Sequence, residues 1–274
     1  MKLSYGIPLL DTLTAEEFEG YLRLLKEIGY EGVECSVCHA KEVDRQMLKE
    51  KLDTYGMKFS GFRSGAAYDM TGARFSSPDA AVRRQAVKLM KDVVDLCAEF
   101  DCPILMGRIQ GLLEPGETAE TAKEWIWECM REVAAYAGRT GTVIAYEPIN
   151  RFEMDYNHTT KEMVAFVQKI NEGLTHKVGL LMDIYHMALE DNSIAAAFIR
   201  SQGLIAHVHF RDSNNGVPGT GTIDFADAVK VLEAMGYEGW IALEVDFNFC
   251  DYAQGARDSM RYLKPMIEAA KHCR

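Results

Sequence analysis

The sequence predicts an α/β protein folded as a single (β/α)8 TIM barrel spanning residues 1–274. Three observations predict it. Short apolar strand-like runs alternate with amphipathic stretches eight times along the chain, and such a barrel needs about 250 residues. The runs are apolar throughout, as in parallel strands covered on both faces. Four of them end in a metal-competent side chain, at Glu147, Asp183, His209 and Glu244. The carboxyl ends of barrel strands share one mouth.

In chain order, residues 2–9 form the first strand. Residues 14–30 form a helix with Phe18, Leu22, Leu25 and Ile28 on one face. Thr14 with Glu17 three residues on makes a capping box, and Gly29 ends the helix. Strand 32–37, helix 43–56 closed by Gly56, and strand 57–64 follow. Residues 80–100 are a long amphipathic helix. Strand 102–107 is entered by Pro103 at its edge, where a missing donor is tolerated. Helix 117–140, strand 142–148, helix 160–171, strand 177–183 and helix 193–202 continue the alternation. Strand 204–212 is interrupted by two histidines, and a buried histidine needs a partner. Helix 224–237 is capped by Asp224, strand 239–245 is the last, and helix 252–272 is bent or broken near Pro265. No Pro/Gly/Ser-rich linker interrupts the pattern, so one domain is expected.

The net charge of −11 repels nucleic-acid phosphates and anionic membranes, so neither is an expected partner. No run approaches the roughly 20 apolar residues of a membrane span. The opening MKLSYGIPLL is too short an apolar run for a signal peptide, which makes a cytoplasmic location the expectation. Seven scattered cysteines suit reduced thiols better than a disulfide framework. Cys35-Ser-Val-Cys38-His39 spells both a dithiol and a c-type haem attachment motif. Haem attachment needs export and a small helical context. A redox dithiol should open a helix, whereas a polar loop follows here. The expectation is two small buried residues ending the second strand.

One acid at a strand end is an ordinary helix N-cap, and one histidine in a strand is an ordinary core residue. Four such groups in series, each one or two βα units from the last, make a mixed nitrogen and oxygen donor set. That set suits Mn²⁺, Mg²⁺ or Co²⁺ better than a structural zinc. Pro218-Gly219-Thr220-Gly221 follows the seventh strand, where barrels often bind phosphate, but it lacks the dinucleotide fingerprint. It reads as a turn shaping the rim.

Tyr146-Glu147-Pro148-Ile149-Asn150-Arg151 followed by Glu153, Asp183-Ile184-Tyr185-His186, His207-Val208-His209, the 218–221 turn and Leu243-Glu244 resemble the xylose-isomerase-like barrel superfamily. Within it they are most similar to the ketose 3-epimerases that act on tagatose and allulose. The match of order and spacing runs from about Gly141 to Val245. The resemblance implies one divalent ion, Mn²⁺ first with Co²⁺ or Mg²⁺ as alternatives, held by Glu147, Asp183, His209 and Glu244. It implies that Glu147 and Glu244 double as the proton-transfer pair, that Glu153 and His186 hold the substrate, and that the chain is a homo-oligomer acting on a small carbohydrate.

One departure bears on the substrate. The epimerases carry an arginine six residues after the metal histidine, where this chain has Asn215; Arg211 is placed to supply the charge instead. The aromatic motif after the fourth strand is also replaced, by Gly107-Arg108-Ile109-Gln110-Gly111. The principal expectation is a metal-dependent sugar epimerase or isomerase. A lyase cleaving an oxidised sugar or C-glycoside, or a hydroxypyruvate-type isomerase, would use the same proton abstraction. A phosphodiesterase on this barrel needs further histidines and a basic face, which seven histidines and the charge of −11 disfavour. A non-catalytic sugar-binding barrel would not need all four ligands.

Overall fold

The computed structural model describes residues 1–246 and 250–271. Its strands are β1 (Lys2–Ile7), β2 (Gly32–Ser36), β3 (Lys58–Arg63), β4 (Ile104–Met106), β5 (Ile144–Tyr146), β6 (Gly179–Asp183), β7 (Ile205–Phe210) and β8 (Trp240–Leu243). They close in sequence order into a parallel barrel, with β1 pairing both β2 and β8. The helices are α1 (Ala15–Ile28), α2 (Arg45–Tyr55), α3 (Gly65–Thr71), α4 (Ala80–Phe100), α5 (Ala119–Ala137), α6 (Thr160–Asn171), α7 (Ile184–Glu190), α8 (Ile194–Arg200), α9 (Phe225–Ala234) and α10 (Tyr252–Lys271). Among the described residues no helix is long and apolar enough to cross a membrane.

Local chemistry sets the boundaries. Thr14 and Glu17 form the expected capping box of α1, and Thr159 with Glu162 repeats it on α6. Gly29 and Gly56 end α1 and α2 in the left-handed conformation. Asp224 caps α9 through the Asp227 amide.

Pro103 stands at the entry of β4, as expected, and its carbonyl accepts from Phe62 N at 3.1 Å. One expectation is corrected. Pro265 does not break α10, which runs unbroken from Tyr252 to Lys271. The last residue of the expected helix, His272, lies outside the described residues.

The main core lies between the barrel and its helices: Phe18, Leu22 and Leu25 of α1 pack there, as do the buried faces of α4 and α5. Strand alternation turns the other side chains inward. A separate cluster of Leu105, Ala145 and Leu181, with Ala206 against it, fills part of the interior. Above that layer the inward positions become charged, which is where the site begins. Cys35 and Cys38 are both fully buried with free thiols. Burial, the largest cause, pushes both pKa values up, as expected of structural cysteines.

At Gly32 a Cβ would stand 2.7 Å from Lys58 O and 2.8 Å from the Trp240 ring. Gly32→Ala should therefore lower stability by about 1–3 kcal/mol through overpacking. An unmoved denaturant midpoint would show that both the Lys58 carbonyl and the Trp240 ring give way at no cost.

Candidate metal and proton-transfer site

Each of the four acid or imidazole strand ends is delivered by backbone register. β6 and β7 pair so that Asp183 lies opposite His209, and β7 and β8 pair so that His209 lies opposite Ala242, two residues before Glu244. Met106 pairs with Tyr146, which carries Glu147 just past the end of β5. The close pass of Gly107 makes room for Glu147, since a Cβ there would be 2.3 Å from its Oε2. Glu147, Asp183, His209 and Glu244 each present one ligand atom, and all four atoms lie within 4.8 Å of one another.

Asp183 reconciles the two readings of an acid at a strand end. Its Oδ1 accepts from Tyr185 N at 2.8 Å and so caps α7, while Oδ2 accepts from Arg211 Nε at 3.0 Å. Arg211 also donates to Asn215 Oδ1 at 2.8 Å and lies against the Tyr185 ring. The asparagine at position 215 thus holds Arg211, and Arg211 brings its charge to the mouth from two residues past His209.

His186 sits 3 % exposed on α7, not in a loop. Asn150 Nδ2 and Arg211 Nη2 stand 2.7 and 3.1 Å from its two ring nitrogens. Asn150 Nδ2 also donates to Glu153 Oε1 at 2.9 Å. Glu153, His186 and Arg211 therefore gather on the β5–β7 side of the cluster. The 218–221 turn is not a phosphate cradle. Within it, Gly219 N donates to Asp212 Oδ2 at 2.8 Å and Thr220 N to Val217 O at 3.1 Å, so these donors are spent on shaping the rim.

Two charged residues of the site are not among those singled out in the sequence. Glu34 is fully buried inside β2, and both His207 Nε2 and His209 Nε2 donate to its Oε2, at 2.8 and 3.1 Å. It is the partner a buried histidine requires. Arg63, ending β3, donates to Glu244 Oε1 at 2.6 Å and approaches Glu34 Oε1 at 3.4 Å. The signal for both was an ionisable residue at an inward position of an apolar strand.

The donor set fits a divalent cation. Glu147 Oε1 and His209 Nδ1 are buried without a hydrogen-bond partner, although Nδ1 lies 3.1 Å from Glu244 Oε2. Burial, then Glu244, then Asp183 push the Glu147 carboxyl well above its ordinary range. Burial works against ionisation of Glu244 too, but Arg211, Arg63 and His209 hold it well below. Burial opposes a charge on His209, yet Glu34 and Glu244 raise its pKa well above the usual value. One carboxyl driven toward neutrality and an imidazole driven toward protonation are what crowded acids do when they lack positive charge; a bound cation reverses both.

The xylose isomerase-like TIM barrel family model matches residues 22–266 of this chain. The 3-dehydro-D-guloside 4-epimerase of Escherichia coli (strain K12) is 32% identical over 252 residues, 88% of this chain and 92% of that one. The ketose 3-epimerase of Arthrobacter globiformis is 26% identical over 244 residues, 88% of this chain and 81% of that one. Among solved structures, L-ribulose 3-epimerase superposes with a TM-score of 0.84 at 23% identity, covering 98% of this chain and 96% of its own. At that identity the structural likeness speaks for the fold.

Two outcomes are expected of Mn²⁺ binding. Glu34→Gln keeps one acceptor where two imidazoles now donate, so affinity measured by calorimetry should fall about 10–100-fold with the fold retained. Affinity should also rise with pH by up to about tenfold per unit while His209 is protonated, because the ion must displace a proton that Glu34 and Glu244 help hold. Affinity independent of pH would show that His209 Nδ1 is no ligand.

Proposed function

The chain belongs to the xylose isomerase-like TIM barrel family and is an isomerase of its epimerase branch, and on that premise we propose that it inverts a carbon next to the carbonyl of a keto sugar. The observation that carries this reading is the meeting of Glu147 and Glu244, from β5 and β8, at one cluster with Asp183 and His209. A hydrogen beside a carbonyl is acidic enough to be removed by a carboxylate, and inversion requires its return from the opposite face. Two carboxylates reaching the same point from different strands can divide those tasks. One accepts the proton from carbon, and the other delivers a proton to the far side.

Glu147, Asp183, His209 and Glu244 are the residues that would hold the divalent ion, which we take to be Mn²⁺, with Co²⁺ or Mg²⁺ as alternatives. When bound, it supplies positive charge beside the substrate oxygens, where negative charge develops as the C–H bond breaks. The protein's own groups do the rest. The resemblance assigns substrate hydroxyls to His186 and Glu153, and Asn150 contacts both. Arg211 offers a guanidinium held by Asp183 and Asn215. Apolar side chains such as Ile7 and Leu105 line part of the pocket beside the acidic cluster and would limit water there.

The held Arg211, in place of an arginine at 215, favours a substrate other than a free ketose. The relative at 32% identity is named for a guloside, a sugar already joined to an aglycone, so we place a keto-glycoside ahead of a free ketose.

In D₂O with Mn²⁺, substrate and product should each take up deuterium at the single inverted carbon. Chelation should abolish this exchange and Mn²⁺ restore it. Glu147→Gln and Glu244→Gln should each lower kcat by about 10²–10⁴-fold. Epimer formed without solvent deuterium would exclude proton transfer, and release of the aglycone would show elimination in its place.

A further inference from the structure

The mouth cavity extends beyond the acidic cluster. It holds about 420 Å³ and runs from Glu147, His209 and Glu244 past Arg63 and Ser64 to Leu9 and Met70. A second cavity of about 430 Å³ neighbours the first, and Met70 on α3 lines both. The chain also passes from one to the other, with Leu9 on the first and Leu10 on the second. The two differ in chemistry. The first contains the charged groups described above, together with the buried hydroxyl of Ser64, whose Oγ has no hydrogen-bond partner. The second has a floor of Leu10, Leu13, Phe18, Val43, Met47 and Leu48.

The geometry points to a keto-glycoside whose sugar ring occupies the first cavity and whose neutral, apolar aglycone lies across Met70 in the second; this inference rests on the epimerase reading above. Every carbon of a free ketose carries an oxygen, so an apolar annex gives it nothing. An aryl or alkyl aglycone would gain by burial there. Met70 is 51 % exposed, the most exposed large apolar side chain along either lining. A flexible thioether at such a position adapts well to a planar group. The annex is also built to keep its shape. Cys38 N and His39 N donate to the two carboxylate oxygens of Asp11 at 2.9 and 2.6 Å, tying the segment after β1 to the segment after β2. Asp44 caps α2 through Met47 N at 3.0 Å. With Asp11, Glu42 and Asp44 on its border, the annex selects against an anionic aglycone.

The test compares methyl, phenyl and 4-carboxyphenyl 3-keto-D-glucosides, as both anomers, with the Mn²⁺-loaded full-length enzyme. The phenyl compound should exceed the methyl compound in kcat/KM by about tenfold or more, mainly through KM, and the carboxyphenyl compound should lose that advantage. Met47→Asp should bring the phenyl-to-methyl ratio toward one. Because the ratio is taken within each variant, partial loss of active protein cancels. If Met47→Asp does not fold, Met70→Glu, at an exposed position, reads the same ratio. Equal values for phenyl and methyl, or a phenyl preference that survives the substitution, overturns the aglycone site. Turnover of free ketoses with no turnover of keto-glycosides also overturns it and leaves the epimerase reading standing. Solvent exchange with neither class overturns both.

Discussion

Negative charge packed into the barrel mouth is the constraint that the site answers to. Glu34 and Asp183 are fully buried, and Glu147 and Glu244 are largely so. Against these four carboxylates the same volume sets Arg63 and Arg211, each reaching more than one of the acids. Two negative charges remain in excess if all four acids are ionised. A low-dielectric interior tolerates that poorly, and removing one member of a buried pair costs about 3–5 kcal/mol. One divalent ion cancels the excess. Beside burial, the same crowding of acids displaces the titration of Glu147.

Glu34 shows how that count becomes geometry. Its carboxylate takes the Nε2 side of His209, which leaves Nδ1 facing the acids of the mouth. Burial acts against its ionisation, but His209 and His207 bring its pKa down to about 2. It is thus an anion under all ordinary conditions, and a fixed orienter rather than a titrating group. His207 shares the same oxygen and braces the arrangement from below.

Much of the barrel was legible in the sequence because its signals are local. Capping at Thr14 and Asp224 depends on neighbours within one turn, and the apolar runs that became strands are continuous. The four side chains that meet at the mouth were legible for the same reason, each sitting at or directly after the end of its run. The short α3 and α7 were not seen. Seven residues give too little periodicity, and α7 starts at Asp183 with no intervening loop. Glu34 and Arg63 were also missed, although each is an ionisable residue in a strand. Their meaning depends on contacts 173 to 181 positions away in sequence, and barrel closure alone supplies those. Of the bend or break expected at Pro265, the break is absent: a proline in an otherwise amphipathic helix can be carried by the packing of Leu263 and Ile267.

Asp183 is at once the last residue of β6, the cap of α7 and a member of the acidic cluster, and α7 carries His186 one turn on. Strand, cap and imidazole are therefore one rigid piece with no slack between them. A lineage diversifying this enzyme has little freedom to insert or delete residues there without losing the charged centre. The segments after β1, β2 and β3, which border the two cavities and contribute none of the four strand-end groups, are the part of the rim left free to vary. New specificities in such a barrel should therefore arise on the side of the mouth away from the acidic cluster, while the cluster itself stays as it is.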